Sequence, residues 1–176
     1  MSIYDDLFEI GRSLANIEKT GMYDVTKYSC SLLHLTNQLE YFYCNLVPKG
    51  TGDCNNTYYK LNSRPKEHQL AYFNIGRGFP KELMDGHWCY ILRDLGYKML
   101  VVPCTSIKAN SKPCNPNFEM DIEMINENSK CKSRIQLSDI RSIDIQRLDV
   151  RKKFCEVITD RNKILDFVKI NIFELT

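Results

Sequence analysis

At 176 residues, 43% hydrophobic and 26% charged, the chain has an average globular makeup, with length for one domain and an appendage or for two small domains. That composition excludes a disordered, fibrous or low-complexity polypeptide. The formal net charge of +2 does not announce a nucleic-acid binder, yet it is uneven: residues 1–70 hold 7 Lys and Arg against 8 Asp and Glu, and residues 71–176 hold 17 against 14. Within the second part Lys130, Lys132, Arg134, Arg141, Arg147, Arg151, Lys152 and Lys153 face only Asp139, Asp144 and Asp149, a weak polyanion signal.

Four of the eight cysteines sit in apolar runs (EYFYC, WCYIL, VVPCTS and KFCEVI) and are expected to be core thiols. No pair has C-x-x-C spacing and His34, His68 and His87 are scattered, so neither metal nor cofactor is expected. MSIYDDLFEI lacks a basic region with a long apolar core, and no segment approaches the roughly 20 apolar residues of a membrane span. The expected setting is a reducing cytoplasm.

In chain order, Ile3, Leu7, Ile10, Leu14 and Ile17 form one stripe of a first helix, with Ser2 and Asp5 in capping-box positions and Gly21 as its stop. Val25, Tyr28, Leu32, Leu35, Leu39, Phe42 and Leu46 mark a second helix, capped by Asp24 and ended by Pro48. Residues 1–47 therefore read as a helical hairpin whose two narrow apolar stripes need a partner surface, the rest of this chain ahead of a second copy or another protein. Residues 48–68, rich in Gly, Asn, Pro and Ser, read as a connection, and residues 69–176 as a second domain.

The period then becomes strand-like. QLAYFNIG (69–76), WCYIL (88–92), KMLVVPC (98–104), FEMDIEMI (118–125) and SRIQLSDI (133–140) are five strand candidates, with KFCEVI (153–158) a sixth. Turn-forming GRGFP, RDLGY and NENSK separate several of them, the pattern of a small antiparallel barrel. In LSDIRSIDIQRLD (137–149) branched apolar residues alternate with charge, as in a strand running into a turn with Arg141, Asp144 and Arg147 free to pair with one another, or equally as in a solvated edge. A last amphipathic helix is expected from an N-cap at Thr159 through Ile164, Phe167, Val168 and Ile172, closing one side of the barrel. The fold class is α+β.

The order NIGRGFPKELMDGHWCYIL, LVVPCTS, LSDIRSIDIQRL and a C-terminal helix resembles the MazF/PemK toxins of type II toxin–antitoxin systems, over roughly residues 70–176. VVPCTS and IRSIDIQRL carry the likeness most specifically, and residues 1–69 have no counterpart in the minimal toxins. The resemblance implies an SH3-like barrel, a homodimer whose face LSDIRSIDIQRL helps to build, cleavage of single-stranded RNA, and neutralisation by a small antitoxin protein. It also implies catalysis by an arginine and a threonine. Thr105 matches the threonine, with Ser106 beside it. An ungapped placement of ELMDGHWCYIL puts His87 where the family has arginine and Trp88 where it has proline.

RNA can be cut without metal when its own 2′-OH attacks the adjacent phosphate, given a base, an acid and donors to the phosphorane oxygens. In an active reading His87 is the acid or base, a task imidazole suits, and Thr105 and Ser106 donate to the phosphate. Arg77 or Lys81 supplies positive charge, and Arg141 fixes the barrel through Asp144 more than it touches substrate. Of the aromatic residues Phe79, Trp88, Tyr90 and Tyr97 near these loops, Phe79 and Trp88 are the candidates for base stacking. In the opposing reading His87 and Thr105 are packing residues and the barrel is a catalytically silent module that binds RNA or protein. A third reading is a fused toxin–antitoxin-like chain, the hairpin masking the RNA groove.

Overall fold

The computed structural model describes residues 2–79, 81–127 and 129–174, so Pro80 and Asn128, in the predicted turns GRGFP and NENSK, lie outside the described residues. The chain separates into two compact units, Met1–Thr57 and Tyr58–Thr176.

In the first unit, α1 spans Ile3–Lys19 and opens on the expected capping box: Ser2 Oγ accepts from Asp5 N–H, and the Asp5 carboxylate accepts from Ser2 N–H. Gly21, at φ +64°, supplies the left-handed turn that stops it. Asp24 caps α2 (Val25–Tyr41) by accepting from Lys27 N–H. Pro48 does not end this helix, contrary to the sequence expectation. Phe42–Leu46 widens into a π turn, in which Val47 N–H bonds to Phe42 O, and α3 (Val47–Lys49) runs through the proline. A proline ring crowds the carbonyl four residues back, and the wider turn relieves that clash. Neither α1 nor α2 buries a residue, which also leaves Cys44 of EYFYC exposed rather than in a core.

The second unit contains β1 (Gln69–Gly76), β2 (Asp85–Asp94), β3 (Lys98–Ser106), β4 (Glu119–Asn126), β5 (Ser129–Gln136), β6 (Arg141–Asp144), β7 (Cys155–Val157) and α4 (Arg161–Phe173). The strand order is β2-β1-β7-β4-β5-β3-β6, and a further β2–β3 pairing closes the first six into an antiparallel barrel, with β6 added to β3. A closed six-stranded antiparallel barrel with a C-terminal helix, in a chain that begins with helices, agrees with the α+β expectation.

The strands show two burial regimes. β4 buries Ile122 and Met124 while Asp121 and Glu123 face water, the alternation of a sheet with one wet face. β1, β2 and β3 are buried on both faces, which explains their unbroken apolar runs. Leu70, Tyr90, Val102, Ile122 and Ile135 form one core with Ile164 and Val168 of α4. Ala71, Phe73, Cys89, Ile91, Met99 and Val101 form the other with Ile143, Ile145 and Leu148. Ile143, Ile145 and Leu148 of the 137–149 stretch thus cover the second face of β1–β3, while Leu137 and Ile140 join the first core, and Arg141, Asp144 and Arg147 do not pair with one another. Asp160, not Thr159, caps α4; Thr159 Oγ1 instead accepts from Glu123 N–H, and Ile172 stays exposed. Among the described residues no helix is long and apolar enough to cross a membrane.

His68 Nδ1 lies 2.9 Å from Tyr90 Oη, itself pushed up to about 12 by burial. Burial, reinforced by the Arg161 charge, lowers the His68 pKa from 6.5. A histidine held neutral in the fold adds stability that is complete above its unfolded pKa and is lost as pH falls through it. The thermal midpoint is therefore expected to drop between pH 7.5 and 5.5, roughly across a histidine's reference value. His68→Asn, which tolerates the φ of +69° at this position, should flatten that dependence. Identical pH profiles for the two proteins would refute the assignment.

Candidate active site

β1 ends in a bulge opposite the start of β2. Gly76, at φ +84°, pairs with Asp85, at φ +67°, where the β1–β2 register shifts. Asp85 takes both arms of the Arg77 guanidinium, Nε to Oδ1 at 2.7 Å and Nη2 to Oδ2 at 2.6 Å. The Arg77 side chain is only 7% exposed, so its charge closes the β1–β2 loop instead of standing open to a substrate. A Cβ on Gly86 would collide with the Tyr72 hydroxyl, and this glycine lets the phenol lie flat on the strand that carries His87.

His87 is half-buried on β2, with Nδ1 3.1 Å from the Cys104 carbonyl oxygen of β3. A carbonyl only accepts, so Nδ1 carries a proton and Nε2 is the nitrogen left to accept one. Cys89 pairs with Pro103 across β2 and β3. His87 precedes the former by two residues and Thr105 follows the latter by two, so both side chains stand on the face of Cys89.

Gln136 of β5 donates from Nε2 to Thr105 Oγ1 at 3.2 Å and to Glu119 Oε1 at 3.0 Å, and it is buried. The glutamine thus spends both amide protons. Because Thr105 Oγ1 accepts one of them, its own O–H is left to donate outward. Glu119 is held in turn by Asn115 N–H at 2.7 Å and by Arg134, which forks onto Asp121 at 2.6 and 3.1 Å and also donates to Lys112 O at 2.7 Å. This buried polar network fixes the threonine rotor.

Arg141 lies opposite Val101 on β6, on the same face. Burial raises the Cys89 thiol well above its ordinary pKa, and the Arg141 charge partly offsets this. Its partner is Asp139, through the carbonyl at 3.2 Å and Oδ1 at 3.4 Å, and not Asp144, whose carboxylate accepts from Gln146 N–H. The same Asp139 Oδ1 accepts from Leu83 N–H at 3.0 Å, tying Arg141 to the loop that leads into His87.

The structure accordingly gathers His87, Thr105 and Arg141 on one face and separates others from them. Ser106 follows Thr105 in the strand and points to the opposite face. Trp88 does the same relative to His87, packing edge-to-face on Tyr72 with ring centres 5.5 Å apart and against the first core. Tyr90 is buried and offers no stacking face, and Tyr97 leans on Tyr58. Phe79 and Lys81 are exposed in the β1–β2 loop, where Lys81 has no ion pair among the described residues, and Arg147 reaches the Asn74 carbonyl. Gln136, Glu119, Arg134 and Asp139 escaped the sequence reading. Their signal lies in the cross-strand pairs Glu119–Gln136 and Asp121–Arg134, visible only once the β4–β5 register is known.

No protein-family model matches this chain, and none of the curated proteins matches it.

Proposed function

We propose that this chain is a toxin-like endoribonuclease that cleaves single-stranded RNA without metal, its second unit being an SH3-like barrel of MazF/PemK type. The observation that carries the reading is the His87–Cys104 hydrogen bond, because it leaves an imidazole lone pair at Nε2 on the face that also holds Thr105 and Arg141. The residues VVPCTS and IRSIDIQRL supply the likeness to the family, and 20 Lys and Arg against 15 Asp and Glu over residues 58–176 favour a polyanion.

In the proposed step His87 Nε2 takes the proton of a ribose 2′-OH, and the 2′-oxygen bonds to the adjacent phosphorus. The Thr105 hydroxyl and the Arg141 guanidinium donate to the non-bridging oxygens as their charge grows. The P–O5′ bond breaks, the departing 5′-oxygen takes a proton from water, and the products are a 2′,3′-cyclic phosphate and a 5′-hydroxyl. A homodimer and a small antitoxin protein belong to the same reading as its partners.

Purified protein incubated with mixed-sequence RNA in EDTA is expected to give discrete fragments ending in 2′,3′-cyclic phosphate, and to leave DNA intact because DNA lacks the attacking hydroxyl. A strict requirement for Mg²⁺ would sink the mechanism. The second reading, a catalytically silent barrel that binds RNA or protein, is favoured by one departure: histidine stands at position 87 where the resemblance expects arginine. Retention of RNA with no fragments would select it.

A further inference from the structure

We propose that the N-terminal hairpin is a self-association device: α1 packs antiparallel on α1 of a second copy of this chain, around a two-fold axis near Ile10. Ile3, Tyr4, Leu7, Phe8, Ile10 and Ile17 expose between 40% and 79% of their surfaces over about half the circumference of this helix, Tyr4 and Phe8 lying beside the stripe formed by the other four. At roughly 200 Å² for a large side chain, these six alone expose about 700 Å² of mostly apolar surface. That exceeds the largest patch of an ordinary monomer, about 300–600 Å². Leu32, Leu33 and Leu39 of α2 expose about 300 Å² more, so the hairpin as a whole carries apolar surface on the scale of the roughly 800 Å² per partner of a stable interface. Most of a helix's stability in a protein comes from packing its amphipathic face, so burial of such a face is what would hold α1 and α2.

The sequence of α1 chooses the occupant. Ile3, Leu7, Ile10, Leu14 and Ile17 alternate spacings of four and three, the seam of a paired helix, and are nearly symmetric about Ile10. An antiparallel copy sets Ile3 against Ile17 and crosses Ile10 on Ile10. The charges agree with that direction. Asp5, Asp6 and Glu9 fill the first half of α1, while Arg12 and Lys19 outnumber Glu18 in the second, so antiparallel packing opposes unlike charges where parallel packing stacks like ones. A Cβ on Gly11 would meet nothing within 4 Å, which leaves room for close approach beside the axis. The contact is isologous and closes as a pair.

The full chain is tested by sedimentation and light scattering over a range of concentrations. Wild type is expected to self-associate, and Leu7→Glu/Ile10→Glu to halve the assembled mass at equal concentration, whether or not the barrel also dimerises. An unchanged mass overturns the proposal. So does an unchanged mass accompanied by a lower thermal midpoint, which would mean that the chain's own second unit covers the face, and so does a wild type that is monomeric throughout. Because the double variant can also unfold the hairpin, a milder measurement runs beside it. With the exposed Cys30, Cys44 and Cys54 changed to serine, Ile10→Cys should oxidise to a covalent dimer, whereas Arg12→Cys, on the polar side, should not. Equal cross-linking at the two positions, or at neither, overturns the geometry.

Discussion

His87→Ala is expected to lower the rate of RNA cleavage about 10²-fold or more while RNA binding changes much less. Such a loss corresponds to about 2.7 kcal/mol in the barrier. The size follows from what the substitution removes: the one imidazole lone pair on the Thr105 face, fixed there by the Nδ1–H bond to the Cys104 carbonyl. Fold stability should change little, because a half-buried ring with a single hydrogen bond leaves only one carbonyl to rehydrate. His87→Arg separates this scheme from the silent-barrel reading. An arginine cannot accept a proton near neutrality but can stabilise a phosphorane. Inactive wild type with active His87→Arg would identify a silenced relative, and active wild type indistinguishable from His87→Ala would move the search to Arg141, Lys81 and Arg77.

What the sequence made legible divides along the range of the interactions. Local patterns were readable: the Ser2–Asp5 capping box, the bounds of β1 and the alternation in β4 all depend on neighbours within a few residues. The predicted strand 133–140 lies several residues beyond β5 because SKCK, the first half of β5, turns Ser129, Lys130 and Lys132 to water and only Cys131 toward the core, and only its pairing with β4 makes it a strand. Pro48 was read as a stop because a proline signals locally, whereas the π turn that absorbs it is a property of the preceding turn. His87 and Thr105 could be named from the resemblance. Their chemistry could not, since the histidine tautomer is set by a backbone carbonyl on another strand and the threonine rotor by Gln136, 31 residues away. Arg141 was assigned the wrong acid for a related reason. Asp139 lies in the short helical turn before β6, and that turn aims it at both Arg141 and the β1–β2 loop.

Gln136→Glu is expected to cut the cleavage rate about 10-fold or more, although no atom of residue 136 touches the RNA in the proposed step. Glutamine donates to Thr105 and to Glu119 at once; an ionised glutamate has no proton to give either. The Thr105 hydroxyl would then turn to donate to residue 136, and the phosphorane would lose a donor of the kind whose removal elsewhere costs about 10²–10³-fold. The new carboxylate would also face Glu119 inside a buried network, a like-charge contact that favours proton uptake by one of the pair. Activity should therefore recover in part as pH is lowered and the shared proton returns to the pair. Thr105→Ala sets the ceiling. If the hydroxyl is the only route by which Gln136 acts, Gln136→Glu adds nothing once Thr105 is alanine, and a full additional loss in the combined variant would show that Gln136 serves the barrel rather than the threonine.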